Sequence, residues 1–120
     1  MIDPWLMCMR HLAGEHGELH KHLHNWAKQH SVAGRVSPVV LLEPDAYAER
    51  HDELQAELQR RARAAGRKPP HSPLAQPDFS YLPPEHRRAK VDRAASLAEL
   101  KRRCPECCDR INSQKVALGR

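Results

Sequence analysis

The chain has 120 residues and a mass of 13.7 kDa, and its 20 Lys and Arg residues outweigh its 15 Asp and Glu residues. Leu, Ile, Val and Phe together number 22, so the chain allows one domain with a small apolar core. No apolar run approaches the roughly 20 residues of a membrane span, and residues 1–4 lack the basic region of a secretory signal. Four cysteines without a signal are expected to be reduced thiols or metal ligands in a reducing compartment such as the cytoplasm. We also expect a monomer with no membrane partner.

Positive charge is concentrated in the second half of the chain. Residues 1–59 hold 5 Lys and Arg against 9 Asp and Glu, whereas residues 60–120 hold 15 against 6. A basic half on a small protein is a candidate surface for a phosphate backbone, and a solvated helix face is the alternative. Six of the nine histidines lie in the first 30 residues, so titratable side chains and positive charge are largely segregated.

Apolar periodicity predicts a first helix over residues 4–30. Its buried stripe recurs at alternating spacings of 4 and 3 residues, as one face of an α-helix does. The members of this stripe are Trp5, Met9, Leu12, His16, Leu19, Leu23 and Trp26.

A second stripe predicts a helix over residues 45–66, with Gly66 at its end. The members of this stripe are Tyr47, His51, Leu54, Leu58 and Ala62. His51 takes a core position in this helix, as His16 does in the first, so the two imidazoles could face one cleft.

The remainder of the chain predicts a connection and a third helix. Residues 67–86 hold six of the ten prolines and must be mostly extended or turn. The side chains expected to fasten this connection to the core are Phe79, Tyr81 and Leu82. The third helix covers residues 90–114 with a break near Pro105. The expected fold is all-α. Residues 1–120 are expected to form one compact domain of three helices.

Two pairs of potential metal ligands lie at opposite ends of the sequence. Cys8 and His11 are three residues apart, and so are Cys104 and Cys107. Zinc prefers four tetrahedral Cys and His ligands, so the two pairs predict a structural zinc ion that joins the first helix to the third. The alternative is that the cysteines are simply buried, because they also fit an apolar helical stripe. Cys108 is a spare thiol.

The first helix also carries a polar face. Its members are Cys8, His11, Glu15, Glu18 and His22. A carboxylate among histidines and close to an apolar stripe could serve in acid–base chemistry, and a solvated face with contacts between successive turns is the alternative.

Three basic clusters could follow a phosphate backbone. The clusters are Arg60, Arg61, Arg63, Arg67 and Lys68; then Arg87, Arg88, Lys90 and Arg93; then Lys101, Arg102 and Arg103. Their distribution over two helices and the connection suits duplex DNA, whereas the few aromatic residues do not suit stacking on single strands.

Several stretches resemble one enzyme family. The run Gly-Glu-His-Gly-Glu-Leu at 14–19 and the segment 50–61 resemble the first and second helices of the pyrimidine dimer DNA glycosylase family, which includes the phage endonuclease V. Residues 37–42 are similar to its inter-helix loop, and residues 78–87 to its connection from the second helix to the third. The match extends over residues 10–103 in order.

This resemblance implies a DNA glycosylase and AP lyase that acts on damaged or modified pyrimidines in duplex DNA. In the family, the chain's own α-amine attacks the deoxyribose C1′ to form a Schiff base, and a glutamate on the first helix assists β-elimination. Glu18 matches that glutamate and Met1 would supply the amine, which ordinarily titrates at about 7.7–8.0. His16 is a third catalytic candidate, and Lys21 matches a basic position of the family. The lyase chemistry needs no cofactor.

Two other functions are consistent with the sequence. The first is a non-catalytic, zinc-stapled DNA-binding or phage accessory protein, which is favoured by the short segment before Glu18 and by Gly17, where the family usually has arginine. The second is a metal-dependent hydrolase or nuclease that uses His16, His20 and His51.

Overall fold

The computed structural model describes residues 2–37, 39–66 and 74–117, and this part of the chain contains helices but no strand. Short 3-10 turns at Pro4–Leu6 and Pro44–Ala46 precede two of the α-helices. The α-helices are α1 (Met9–Lys21), α2 (Leu23–Ala27), α3 (Ala33–Val36), α4 (Tyr47–Ala64), α5 (Pro84–Arg87), α6 (Arg93–Arg103) and α7 (Pro105–Ala117). None of the helices in this part has both the length and the apolar character that crossing a bilayer requires. The predicted all-α fold is confirmed.

The predicted first helix over residues 4–30 is not continuous. Met7 and Cys8 have extended backbones between the first 3-10 turn and α1. A second break at His22 separates α1 from α2. The expected stripe is therefore carried by three short segments rather than by one long helix.

The first break changes which methionine is buried. Met7 is 6% exposed and joins the core, whereas Met9, which the stripe placed there, is 41% exposed. Arg61 donates to the carbonyl of Met7 at 2.7 Å, and Arg110 donates to that of Trp5 at 2.7 Å. These long-range bonds satisfy carbonyls that a continuous helix would have bonded internally, so the turn is held by α4 and α7.

α4 follows the prediction closely. It is preceded by the Pro44–Ala46 turn and ends just before Gly66, whose φ of 71° lies in the left-handed region that glycine adopts without strain. The stripe positions that are buried are Tyr47, His51, Leu54 and Leu58. α4 packs along α1, and this pair forms the framework of the domain.

The main apolar core lies between α1, α2 and α4. Its buried members are Met7, Leu12, Leu19, Trp26, Val32, Leu42, Tyr47, Leu54, Leu58, Phe79 and Leu82. The rings of Trp26, Tyr47 and Phe79 meet at centroid distances of 5.6 to 6.2 Å. Full burial of each large apolar side chain stabilises the fold by about 1.5–3 kcal/mol, so this region supplies most of the apolar burial in the described part of the chain.

The connection from α4 to α6 is fastened to this core. Residues 67–73 of the proline-rich prediction lie outside the described residues. Phe79 and Leu82 are buried, and the Tyr81 hydroxyl donates to the carbonyl of His30 at 2.7 Å. The predicted anchoring of the connection is therefore confirmed for the part that the structure describes.

α6 and α7 form a hairpin, residues 93–117, in place of the predicted third helix. The break falls at Cys104, next to Pro105 as predicted. No residue of α6 is buried, and its N-cap Asp92 accepts a hydrogen bond from the amide of Ala95 at 3.0 Å. α7 packs against α6 and against the Pro4–Leu6 turn, so the hairpin contributes little to the main core.

Candidate metal centre

The four predicted ligands converge where two helices begin. Cys8 immediately precedes α1 and His11 lies in its first turn, while Cys104 and Cys107 have the same positions in α7. Each pair thus occupies the N-cap and the third residue of its helix. Because the positive ends of two helix dipoles meet at this point, the location favours thiolates.

The distances between the ligand atoms suit a tetrahedral ion. The Cys8 Sγ lies 3.1 Å from His11 Nδ1 and 3.9 Å from Cys104 Sγ, and Cys107 Sγ lies 3.4 Å from His11 Nδ1. All four ligand atoms lie within 4.8 Å of one another. Zn–S bonds of about 2.3 Å and Zn–N bonds of about 2.0–2.1 Å require S···S distances of about 3.8 Å and S···N distances of about 3.5 Å. The four atoms are therefore close to the corners of such a tetrahedron.

The three thiols are buried, and burial shapes their acidity. Cys8, Cys104 and Cys107 are at most 2% exposed. Burial raises the pKa of the Cys107 thiol to about 12, whereas the backbone N–H of Cys107 donates to Cys104 and lowers the pKa of that thiol. A bound metal ion would take the place of the protons, because a coordinating thiol is deprotonated.

Further donors surround the sulfur atoms. The backbone N–H of Cys8 donates to Cys107 Sγ at 3.2 Å, and a guanidinium nitrogen of Arg10 donates to Cys104 Sγ at 3.9 Å. The spare thiol, Cys108, is half-buried and does not belong to the group. The donors would stabilise thiolate charge and orient the ligands, as the surroundings of metal sites commonly do.

The cysteines form a small buried cluster of their own, and Leu100 of α6 packs against both this cluster and the main core. The four residues come together as predicted, and the buried group could hold a metal ion such as zinc. An ion in this position would link the start of α1 to the hairpin.

A second group consists of three histidines at the α1–α4 interface. His16 and His20 project from successive turns of α1, and His51 faces them from α4. The three ring centroids lie 4.6 to 4.8 Å apart, and Nε2 of His51 lies 2.9 Å from Nε2 of His20. The predicted approach of His16 and His51 is therefore observed, and His20 joins them.

The predicted catalytic residues are less closely grouped. Met1 lies outside the described residues, and Glu18 is exposed on α1. The carboxylate that reaches the N-terminal segment is that of Glu15, through Arg50. This guanidinium donates to the two oxygens of Glu15 at 2.6 and 2.9 Å and to the carbonyl of Ile2 at 2.6 Å.

The predicted DNA-binding side chains differ in their surroundings. Arg61 is 13% exposed and pairs with Glu57 at 2.7 Å. Because it also donates to the carbonyl of Met7, it holds the N-terminal turn in place. Arg60 pairs with the same carboxylate and Arg102 pairs with Glu99, while Arg87 lies near Asp45. Within the described part of the chain, no ion pair is found for Lys21, Arg63, Arg88 or Lys101.

Sequence reasoning missed Arg50 and Arg10. An arginine on a helix resembles any other solvent-exposed cation until its partners are known, and the Glu15 and Ile2 partners of Arg50 are more than 30 residues away. The only signal for Arg50 was its position in the segment 50–61 that resembles the glycosylase family. Arg10 lay next to the Cys8 pair, where a cation beside a thiolate could have been anticipated.

Comparison of the chain with protein families, with curated proteins and with solved structures finds no match. The resemblance of its motifs to the glycosylase family therefore stays a prediction. The geometry of the two clusters and of the N-terminal segment carries the functional argument.

Proposed function

We propose that the protein is a DNA glycosylase and AP lyase for damaged or modified pyrimidines in duplex DNA, built on a helical domain that a zinc ion holds together. The observation that supports the activity most is the link through Arg50 between the N-terminal segment and the glutamate-bearing helix. The zinc ion is structural, and the lyase chemistry proceeds without a cofactor.

Zinc is proposed because of the donor set. Three thiolates and one imidazole in a tetrahedron are ligands of structural zinc, whereas magnesium and calcium prefer oxygen ligands. The protein fills all four positions, so no position is left for a substrate or a reactive water. The role of the ion is therefore to join α1 to the hairpin.

Elemental analysis of the purified protein tests the identity of the ion. We expect zinc in the wild-type chain and one equivalent less in Cys107→Ser, while Cys108→Ser keeps the wild-type content as the matched control. Equal zinc content in the two variants would contradict the assignment.

The N-terminal segment lies beside a cleft that suits a nucleotide. Ile2, Glu15 and Arg50 line a cleft of about 920 Å³, which Lys90 and Arg103 also border. Asp92 and Glu99 line the cleft as well, so its wall carries both signs of charge. Its cations could contact a sugar–phosphate, and a base extruded from the duplex needs a pocket of this kind.

The proposed chemistry uses that amine as the nucleophile. A neutral α-amine attacks C1′, the base departs with the electron pair of its glycosidic bond, and the sugar ring opens to a Schiff base. A carboxylate then takes a proton from C2′, and β-elimination expels the 3′ phosphate. An α-amine with a pKa of about 7.7–8.0 is partly neutral at physiological pH, as this step needs.

The two glutamates of α1 take different roles in this proposal. Glu18 accepts the proton, because it matches the family's catalytic glutamate and its carboxylate has no protein cation bound to it within the described residues. Glu15 is occupied by Arg50 and orients the N-terminal segment. His16 lies between them in the sequence of α1 and belongs to the histidine group.

Borohydride trapping on duplex DNA with a single abasic site tests the activity. We expect a covalent protein–DNA adduct from the wild-type chain, a large loss in Glu18→Gln and after acetylation of the N-terminal amine, and no change in Glu85→Gln. The mass of the intact chain identifies which amine is free. Absence of an adduct, or one that survives both changes, would contradict the proposal.

The exposure of Glu18 favours a second candidate, a non-catalytic zinc-stapled protein that binds duplex DNA. An exposed carboxylate is typical of a surface charge, whereas a catalytic proton acceptor is usually enclosed in a pocket. This candidate predicts DNA binding that weakens steeply with salt, with no adduct and no strand cleavage.

A further inference from the structure

We propose that His16, His20 and His51 form a second metal site, separate from the cysteine centre, for a divalent transition metal. The three imidazoles meet at the α1–α4 interface, and each offers one ligand atom within 4.8 Å of the others. Imidazole nitrogen suits Zn²⁺, Co²⁺ and Ni²⁺ and does not suit Mg²⁺ or Ca²⁺.

The backbone sets this arrangement. His16 and His20 are four residues apart on α1, so both project from one side of that helix. His51 is completely buried on α4, whereas His16 and His20 are half-buried, so the group is packed at one end and accessible at the other.

The distances between the nitrogens are near those of a metal site. The Nε2 atoms of His20 and His51 lie 2.9 Å apart. Two Zn–N bonds of about 2.0–2.1 Å in a tetrahedron place their nitrogens about 3.4 Å apart, so an ion requires only a small opening of the pair. Three imidazoles from two rigid helices then provide three ligands.

A carboxylate already orients the most buried ligand. Asp52 Oδ1 lies 2.9 Å from Nδ1 of His51 and also accepts a hydrogen bond from the amide of Leu74 at 3.1 Å. A histidine that donates Nδ1–H to a carboxylate presents Nε2 to the metal, which is the usual arrangement around such ligands. The Nε2 of His51 is the atom that faces His20.

This site differs from the cysteine centre in its chemistry. Among the residues that the structure describes, it has three nitrogen ligands and no thiolate. The inference rests on the histidine geometry and is independent of the proposed lyase activity.

Cobalt titration of the chelator-treated full-length protein separates the two sites. Co²⁺ bound to thiolates gives sulfur-to-metal charge-transfer absorption, whereas Co²⁺ bound to imidazoles alone gives only weak d–d bands. We expect two equivalents in the wild-type chain, one of each kind. His20→Ala removes the equivalent without charge transfer and leaves the thiolate bands unchanged, and His24→Ala, on an exposed position of α2, retains both.

Two further variants guard against a folding defect. His16→Gln repeats the loss of the second equivalent from another position, with circular dichroism as the check on helix content. Asp52→Asn keeps the site but weakens its cobalt affinity by about 10- to 100-fold, because the orienting charge is removed. A single equivalent in the wild-type chain, or a second equivalent that survives His20→Ala, would overturn the proposal and leave a hydrogen-bonded histidine cluster.

Discussion

The α1–α4 region and the α6–α7 hairpin are held in place by different forces. The first encloses eleven buried apolar side chains around Leu54 and Tyr47. In the second, α6 buries no residue, and the described part of α7 buries only Cys107 and Ile111. With so few large aliphatic residues, the chain builds one apolar core, and the proposed metal ion would attach the remaining two helices to it.

The largest predicted effect removes that attachment. If zinc joins the two regions, Cys104→Ser removes one of its ligands, and the hairpin should then separate while the apolar core keeps α1 and α4 together. We expect thermal unfolding followed by circular dichroism to split into two transitions, the first carrying the hairpin's share of the helical signal. Cys108→Ser, the matched control, should unfold in one transition like the wild type. A single unshifted transition in Cys104→Ser would show that the metal centre does not hold the hairpin in place.

A cavity in the apolar region should lower the stability of the protein without changing its zinc content. Leu54 is completely buried, so Leu54→Ala should lower the free energy of unfolding by about 2–5 kcal/mol in urea denaturation. The zinc content of the folded variant should not change, because the ligands lie outside the main core. Leu41→Ala, at a position that is 66% exposed, should stay within about 0.5 kcal/mol of the wild type. Equal effects of the two substitutions would argue against the assigned core.

Loss of the cap of α6 is a smaller test of the hairpin. Asp92 accepts the hydrogen bond of an otherwise unpaired amide, so Asp92→Ala should destabilise the protein by about 1 kcal/mol. Asp92→Asn can make the same bond and should restore most of the loss in the same thermal denaturation experiment. No difference between the two variants would indicate that the cap does not stabilise α6.

The smallest effect concerns pH and the Glu57 carboxylate. Hydrogen bonds from Arg60 above all, and from Arg61, hold the pKa of Glu57 below its ordinary 4.5. Because the folded pKa is lowered, this stabilisation is complete above the unfolded pKa and is lost as pH falls from 4.5 through the folded value. Denaturant titrations at successive pH values should show a weaker loss of stability over this range in Glu57→Gln than in the wild type. If stability falls with pH equally in Glu57→Gln and in the wild type, the ion pairs of Glu57 do not stabilise the fold.

The sequence predicted the second helix better than the first. The α4 stripe runs over an uninterrupted helix, so residues such as Leu54 and Leu58 lie on the face that the spacing indicated. The predicted start of the first helix was wrong because Arg61 and Arg110, from distant parts of the chain, donate hydrogen bonds to carbonyls of the N-terminal turn. A periodicity along the chain carries no information about such bonds.

The candidate site was predictable where the ligand chemistry was local. Each ligand pair lies three residues apart, and that spacing indicated a metal site before any fold was known. The roles of Arg50 and of Asp52 depend on which helices pack together, so no local pattern could reveal them. The sequence likewise could not distinguish Arg61, which is largely buried and pairs with Glu57, from Arg63, which is exposed on the same helix.

Hydrogen exchange with and without a zinc chelator tests whether a metal ion attaches the hairpin to the rest of the domain. If zinc at Cys8, His11, Cys104 and Cys107 attaches the hairpin to the domain, chelation should remove amide protection from α6 and α7 while α4 stays protected. Adding zinc back should restore the protection. Protection of the hairpin that does not change on chelation, or that is lost equally from α4, would contradict the account.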